Sequence, residues 1–260
     1  MSIKTDLQFF YDHEAKKYAE TRQKFRHEGE RILQQIEKLQ EQKKAQREDE
    51  TLHILELGAG SGRFATFLNQ QFDGKYTYIG CDLSSELLKY AKKDNPKMHF
   101  ETADMLTFLA AQPQESCDII IATASFQHLP TRNERYLLIK YAYRTLKYNG
   151  IMLMTNRAFS TRFLRKHPKI FLKSLTQTAL SLWKKSRRDV FIPRKNRGKT
   201  YQRFYHLFSL KELKKLTLSG SLVLQECGYI DKNGQLTQEW RNARNSRFVG
   251  RKSEMATPNK

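Results

Sequence analysis

Leu52-His53-Ile54-Leu55-Glu56-Leu57-Gly58-Ala59-Gly60-Ser61-Gly62 is the stretch that decides the fold. A short apolar run ends in an acid and a leucine, three glycines follow at alternate positions, and a helical pattern opens over 61–71. Glycines in such a place permit a tight turn and let the backbone approach a ligand closely. Position 63 is Arg, so the G-x-G-x-x-G spacing of a dinucleotide loop is not met, and the GK[ST] ending of a phosphate-cradling loop is absent. Phosphate binding is disfavoured.

Working outward, further strands are expected at 76–82, 97–104, 117–126 and 150–159, with helices at 61–71, 84–93, 105–112 and 131–147 between them. The stretch 117–126 holds a continuous apolar run, Ile119-Ile120-Ile121-Ala122, typical of a strand buried on both faces. Residues 7–46 read as helical, with Phe25, Ile32, Leu33, Ile36 and Leu39 at three- and four-residue steps. Ser209 with Glu212 three residues on starts another helix, which Gly220 stops, and 221–230 and 246–252 are expected to pair antiparallel as the last strands. The order predicts an α/β doubly wound, seven-stranded, mostly parallel sheet with N-terminal helices and a basic helical insertion after strand five. The expected units are an N-terminal helical lid (1–50), a ligand-binding core (51–158), the insertion (159–202), a C-terminal completion of the core (203–252) and a disordered tail (253–260).

The chain has 260 residues and a formal charge of +20. Residues 157–199 hold 14 Lys or Arg and a single acid, Asp189, so this segment carries +13 and the rest of the chain only +7. Such a block most often faces a polyanion, RNA above all; a solvated helix surface and peripheral contact with an anionic membrane stay open. Lys184, Lys185, Arg187, Arg188 and Arg197 are the expected phosphate contacts. Three scattered cysteines and seven histidines show no metal-ligand spacing and no disulfide framework, which suits a reducing, cytoplasmic compartment. No run is apolar enough to span a membrane, and the first twenty residues lack the apolar stretch of a secretory signal.

Glu56-Leu57-Gly58-Ala59-Gly60-Ser61-Gly62 resembles motif I of the class I S-adenosylmethionine-dependent methyltransferases. Asp82 closes the second strand, where a carboxylate can accept from both hydroxyls of a ribose. The resemblance implies that Asp104 approaches the adenine amino group, that Leu83 and Met105 sandwich the adenine, and that Glu56 lies near the methionine ammonium. It also implies that Gly58, Gly60, Gly62, Arg63 and Ser125 complete the cofactor site. His128, after the fourth strand, is a titratable candidate at the reaction centre, with packing against the cofactor as its other reading. No N-P-P-[YF] set is present, which favours an oxygen or carbon acceptor.

Arg203-Phe204-Tyr205-His206-Leu207-Phe208, followed by Ser209-Leu210-Lys211-Glu212-Leu213, resembles a segment of the tRNA wobble-uridine carboxymethyl methyltransferases and their bacterial relatives. Residues 6–22 resemble their N-terminal segment. That likeness implies methylation of a tRNA-borne carboxylate, with Arg203, Tyr205 and His206 at the acceptor, Tyr11, Tyr18 and Arg22 as a lid on substrate, and a small protein partner. Two other functions fit the residues: a small-molecule O- or C-methyltransferase, and a non-catalytic RNA-binding protein on the same scaffold.

Overall fold

Every residue of β4 (Cys117–Thr123) except the last is buried, the apolar Ile119–Ala122 by packing and Asp118 by its bonds to Lys43 and Lys147, and this strand lies at the centre of the sheet. The computed structural model describes residues 2–21, 26–47, 51–180, 186–196, 199–231 and 233–253. On one side of β4 lie β1 (Leu52–Leu57), β2 (Tyr76–Asp82) and β3 (His99–Thr102), all parallel. On the other lie β5 (Leu146–Arg157), then the antiparallel β10 (Asn245–Arg251), then β8 (Val223–Ile230) with the two-residue β9 (Leu236–Thr237) at its edge. The order is β3-β2-β1-β4-β5-β10-β8-β9. The chain leaves β1 toward one edge and returns at β4 toward the other, so a crevice opens where their carboxyl ends part.

Two apolar layers cover this sheet. α2 (Arg26–Ala45), α3 (Arg63–Gln71) and α4 (Ser85–Asp94) bury Ile36, Leu68 and Leu88 against Ile54, Ile121 and Leu153. α5 (Met105–Ala111), α6 (Arg132–Thr145) and α9 (Leu210–Ser219) bury Leu109, Leu138 and Leu213 against Leu55, Ile120 and Phe248. Strand residues alternate between these layers with period two. The helices start where the sequence provides caps: Ser84 accepts from Leu87 N, and Thr131 and Glu134 form a reciprocal capping box.

The N-terminal helices are α1 (Ile3–Thr21) and α2, as expected. Two expectations are corrected. Among the described residues the sheet has eight strands where seven were expected, the two-residue β9 being the addition at the edge. The insertion after β5 is not all helical. α7 (Thr161–Lys166) and α8 (Pro168–Leu180) are followed by an antiparallel ribbon of β6 (Asp189–Asn196) and β7 (Lys199–His206), so the boundary expected at residue 203 falls inside a strand. Val190, Ile192, Tyr205 and Leu207 bury a small core with Phe163, and that packing overrides the charge and the Pro193 that disguise the strands.

Candidate active site

β1 ends in a loop whose Gly58, Gly60 and Gly62 have φ of 80°, 56° and 77°, the left-handed region that only glycine enters freely. A Cβ on Gly58 would sit 2.4 Å from that of Ser125, whose hydroxyl donates to Leu57 O. A Cβ on Gly60 would meet only Tyr18, at 3.9 Å, so a side chain there would fill the cleft beneath the tyrosine. That cleft runs over the carboxyl ends of β1, β2 and β4. Gly58, Gly60, Arg63, Glu56, Asp82, Leu83, Met105, Ser125, Tyr11, Tyr18 and His128 all line it. Gly62 is the N-cap of α3 and packs on Ala91 instead.

Burial shapes the two acids of the cleft. Asp82 accepts from Gly60 N at 2.8 Å and Ser84 N at 2.9 Å, which locks the glycine loop onto β2. Burial raises its pKa to about 6, against those amide bonds, so it is charged at neutral pH and keeps lone pairs for further donors. Glu56 accepts from the Tyr78 hydroxyl, and burial pushes its pKa up to about 8. Asp104 caps α5, accepting from Leu106 N and Thr107 N, and its second oxygen pairs with Lys4 at 2.9 Å.

α1 closes the mouth. Lys4 bridges Asp104 and Glu134, and Asp12 accepts from the Ser84 hydroxyl at 2.6 Å. Tyr11 meets His128 Nε2 at 3.3 Å. The other ring nitrogen of His128 donates to Phe204 O at 2.8 Å, so in the neutral ring Nε2 is the acceptor. Behind His128 lies the ribbon. The Tyr205 ring is 4.7 Å from that of His128, and the Arg203 guanidinium lies over both Tyr205 (5.3 Å) and Phe10 (5.0 Å). Arg203 is 9% exposed, its Nε has no partner, and no carboxylate of the described residues pairs with it. His206 is held differently: Asp189 takes one ring nitrogen and Glu212 the other, away from the cleft. Burial alone would raise the Glu212 carboxyl, but His206 and Arg188 hold it below the usual range.

Of the residues expected to grip a substrate, Arg188 spends its guanidinium on Glu212 at 2.7 Å, and Arg187 is exposed. Arg22, Lys184, Lys185 and Arg197 lie outside the described residues. Sequence reasoning missed Lys4, Phe10, Asp12, Tyr78 and Thr123, whose roles arise from contacts across the fold and carry no local signal.

A family model described as a methyltransferase domain matches residues 54–150. A SAM-dependent methyltransferase structure from Methanosarcina mazei superimposes with a TM-score of 0.60 at 19% identity, over 78% of this chain and 93% of that one. The fold is that of the class I S-adenosylmethionine-dependent methyltransferases. Among curated proteins, the trans-aconitate 2-methyltransferase of Delftia acidovorans is 30% identical over 100 residues, 38% of this chain and 36% of the relative. The malonyl-[acyl-carrier protein] O-methyltransferase of Halalkalibacterium halodurans is 26% identical over 133 residues, 50% of this chain and 48% of the relative. The chain thus matches between about a third and a half of these relatives' length.

These relatives overturn the expectation of RNA methylation, tRNA processing and a tRNA partner, because their names place methyl transfer on small acids and acyl groups. The basic segment misled for a physical reason: part of its charge is internal, as the Arg188–Glu212 pair shows. The residues of the cleft fit S-adenosylmethionine, the cofactor that the fold implies. Gly60 leaves open space, Asp82 has unused acceptor capacity, and the buried Thr123 hydroxyl on the cleft wall has no partner among the described residues. No described helix is long and apolar enough to cross a membrane.

If Asp82 holds the ribose, Asp82→Ala is expected to weaken S-adenosylmethionine binding by about 1.5–3 kcal/mol, or roughly 10- to 150-fold. Calorimetry showing unchanged affinity would remove Asp82 from the site.

Proposed function

We propose that this protein methylates a carboxylate of a small organic acid bearing more than one carboxylate, giving a methyl ester. The observation that carries this reading is Arg203, a buried guanidinium without an anion, two ring contacts behind the cleft wall. Its planar fork matches a carboxylate bidentately, and the flanking rings orient the fork while leaving its donors unspent. An acid anchored there would turn its far end toward His128 and the cleft. The naming of two matched relatives as trans-aconitate and malonyl-group methyltransferases supports the same chemistry.

S-adenosylmethionine supplies an electrophilic methyl group when bound. Glu56, Asp82, Thr123 and the glycine loop would hold it. The chain's remaining task is placement and exclusion of water. Tyr11 and Tyr18 on α1 cover the cleft, and His128 is fixed by Phe204 O on one side and Tyr11 on the other. A carboxylate acceptor is ionised at neutral pH and needs no general base, which suits a histidine braced in this way. A cytoplasmic site of action fits the three free, buried cysteines.

The test is transfer of labelled methyl from S-adenosylmethionine to a panel of di- and tricarboxylic acids. Mild base is expected to release the label as methanol. A base-stable product would mark carbon or ether methylation and refute the ester.

A further inference from the structure

Helix α8 packs only Ile170 and Phe171 of its large apolar residues on the rest of the fold and presents its leucines to solvent. It turns Ser174 and Thr178 inward, at 3% and 4% exposure, and leaves Leu172, Leu175 and Leu180 at 63%, 37% and 85%. The Ser174 hydroxyl fastens the inward side by donating to Arg187 O at 2.7 Å, while that of Thr178 donates within the helix to Ser174 O at 2.8 Å. A helix that only packed on its own fold would bury its leucines, because their apolar area is the main source of docking energy. Lys169 and Lys173 are exposed on the same helix, and Arg165 and Lys166 are exposed at the end of α7 just before it. In sequence, α8 is followed by Ser181-Leu182-Trp183-Lys184-Lys185.

We propose that α8 rests on an anionic membrane surface, with its leucines below the headgroups and its lysines among the lipid phosphates. The combination of exposed leucines with flanking lysines is what an interfacial helix requires. Charge selects this occupant. A second copy of the chain would set the exposed Arg165, Lys166, Lys169 and Lys173 of one helix pair against those of another, and a polyanion without an apolar phase would leave the leucines in water. At 13 residues α8 is too short to span a bilayer, so it lies along the surface.

The test uses the full chain with vesicles of phosphatidylcholine alone and of phosphatidylcholine mixed with phosphatidylglycerol. Co-sedimentation is expected with the mixed vesicles only, and it should weaken as salt rises. Leu172→Gln, Leu175→Gln and Leu180→Gln together should reduce that binding at least tenfold, with S-adenosylmethionine affinity and the unfolding midpoint unchanged. Lys169→Glu with Lys173→Glu should reduce it as well. No binding to the anionic vesicles overturns the proposal. So does binding that ignores the leucine substitutions, which would be simple adsorption. A wild-type dimer that the leucine variant abolishes overturns it in favour of a second copy. None of these readouts depends on the identity of the methyl acceptor.

Discussion

Arg203→Met is expected to lower methyl transfer to the acid by about 10²–10³-fold and yet make the free protein more stable, by on the order of 1–3 kcal/mol. The two effects have one cause. The guanidinium is 9% exposed, sits over the rings of Phe10 and Tyr205, and has an unpartnered Nε. Cation–π contact with two rings recovers only part of the lost hydration. Methionine fills similar space, contacts both rings through sulfur and carries no charge. An anionic substrate supplies the missing partner, so its affinity depends on the charge that the free protein is better without. Lysine at this position should restore part of the activity, since it keeps the charge and loses the fork. Chemical unfolding, cofactor calorimetry and turnover on one preparation read all three quantities. Loss of stability together with loss of cofactor binding would make Arg203 a structural residue and sink the assignment.

Glu56→Gln should remove a pH dependence from both stability and cofactor binding. In the folded protein the Glu56 carboxyl has a pKa of about 8 because it is buried, against an ordinary value of 4.5. Below 4.5 both folded and unfolded chains hold the proton, and burial costs nothing electrostatic. Between 4.5 and 8 the unfolded chain releases it and the folded one keeps it, so stability declines as pH rises. The decline amounts to on the order of 4 kcal/mol by pH 8, and the glutamine variant should lack it. Binding runs the other way. An ammonium beside Glu56 favours the carboxylate, so wild-type affinity for S-adenosylmethionine should rise from pH 6 to 8 and a proton should leave on binding. Above that range the cofactor's own amine, with an ordinary pKa of about 8, begins to lose its charge and the affinity should turn down. Calorimetry in two buffers of different ionisation enthalpy counts the proton. Equal pH profiles for wild type and variant would show that Glu56 does not face the ammonium.

The core was legible because each of its signals is local. The run Cys117–Thr123 announces a strand covered on both faces, and the glycine spacing after Leu57 permits one kind of turn. Ser209 marks a helix start by the hydroxyl it offers to the backbone amide of Glu212. Asp82 was legible for the same reason, since it ends a strand a fixed distance beyond the glycines. The basic segment was not. Its charge density suggested an RNA platform, whereas the chain there folds two short helices and a ribbon whose small core, Val190, Ile192 and Tyr205, is split between segments of the sequence.

The parallel sheet, the glycine loop and the acids beneath it follow from local signals, because period, turn chemistry and strand ends are properties of neighbouring residues. The surroundings of Arg203, His206 and α1 arise only once distant segments are packed together. His206 has both ring nitrogens taken by Asp189 and Glu212, while Arg203, three residues earlier, is left with two aromatic rings and no anion. Which of these side chains is satisfied and which still wants a partner depends on groups up to 193 positions apart in the chain, Phe10 and Arg203 among them. The cost of burying an unpaired charge is set by that assembled surrounding and by nothing in the local sequence.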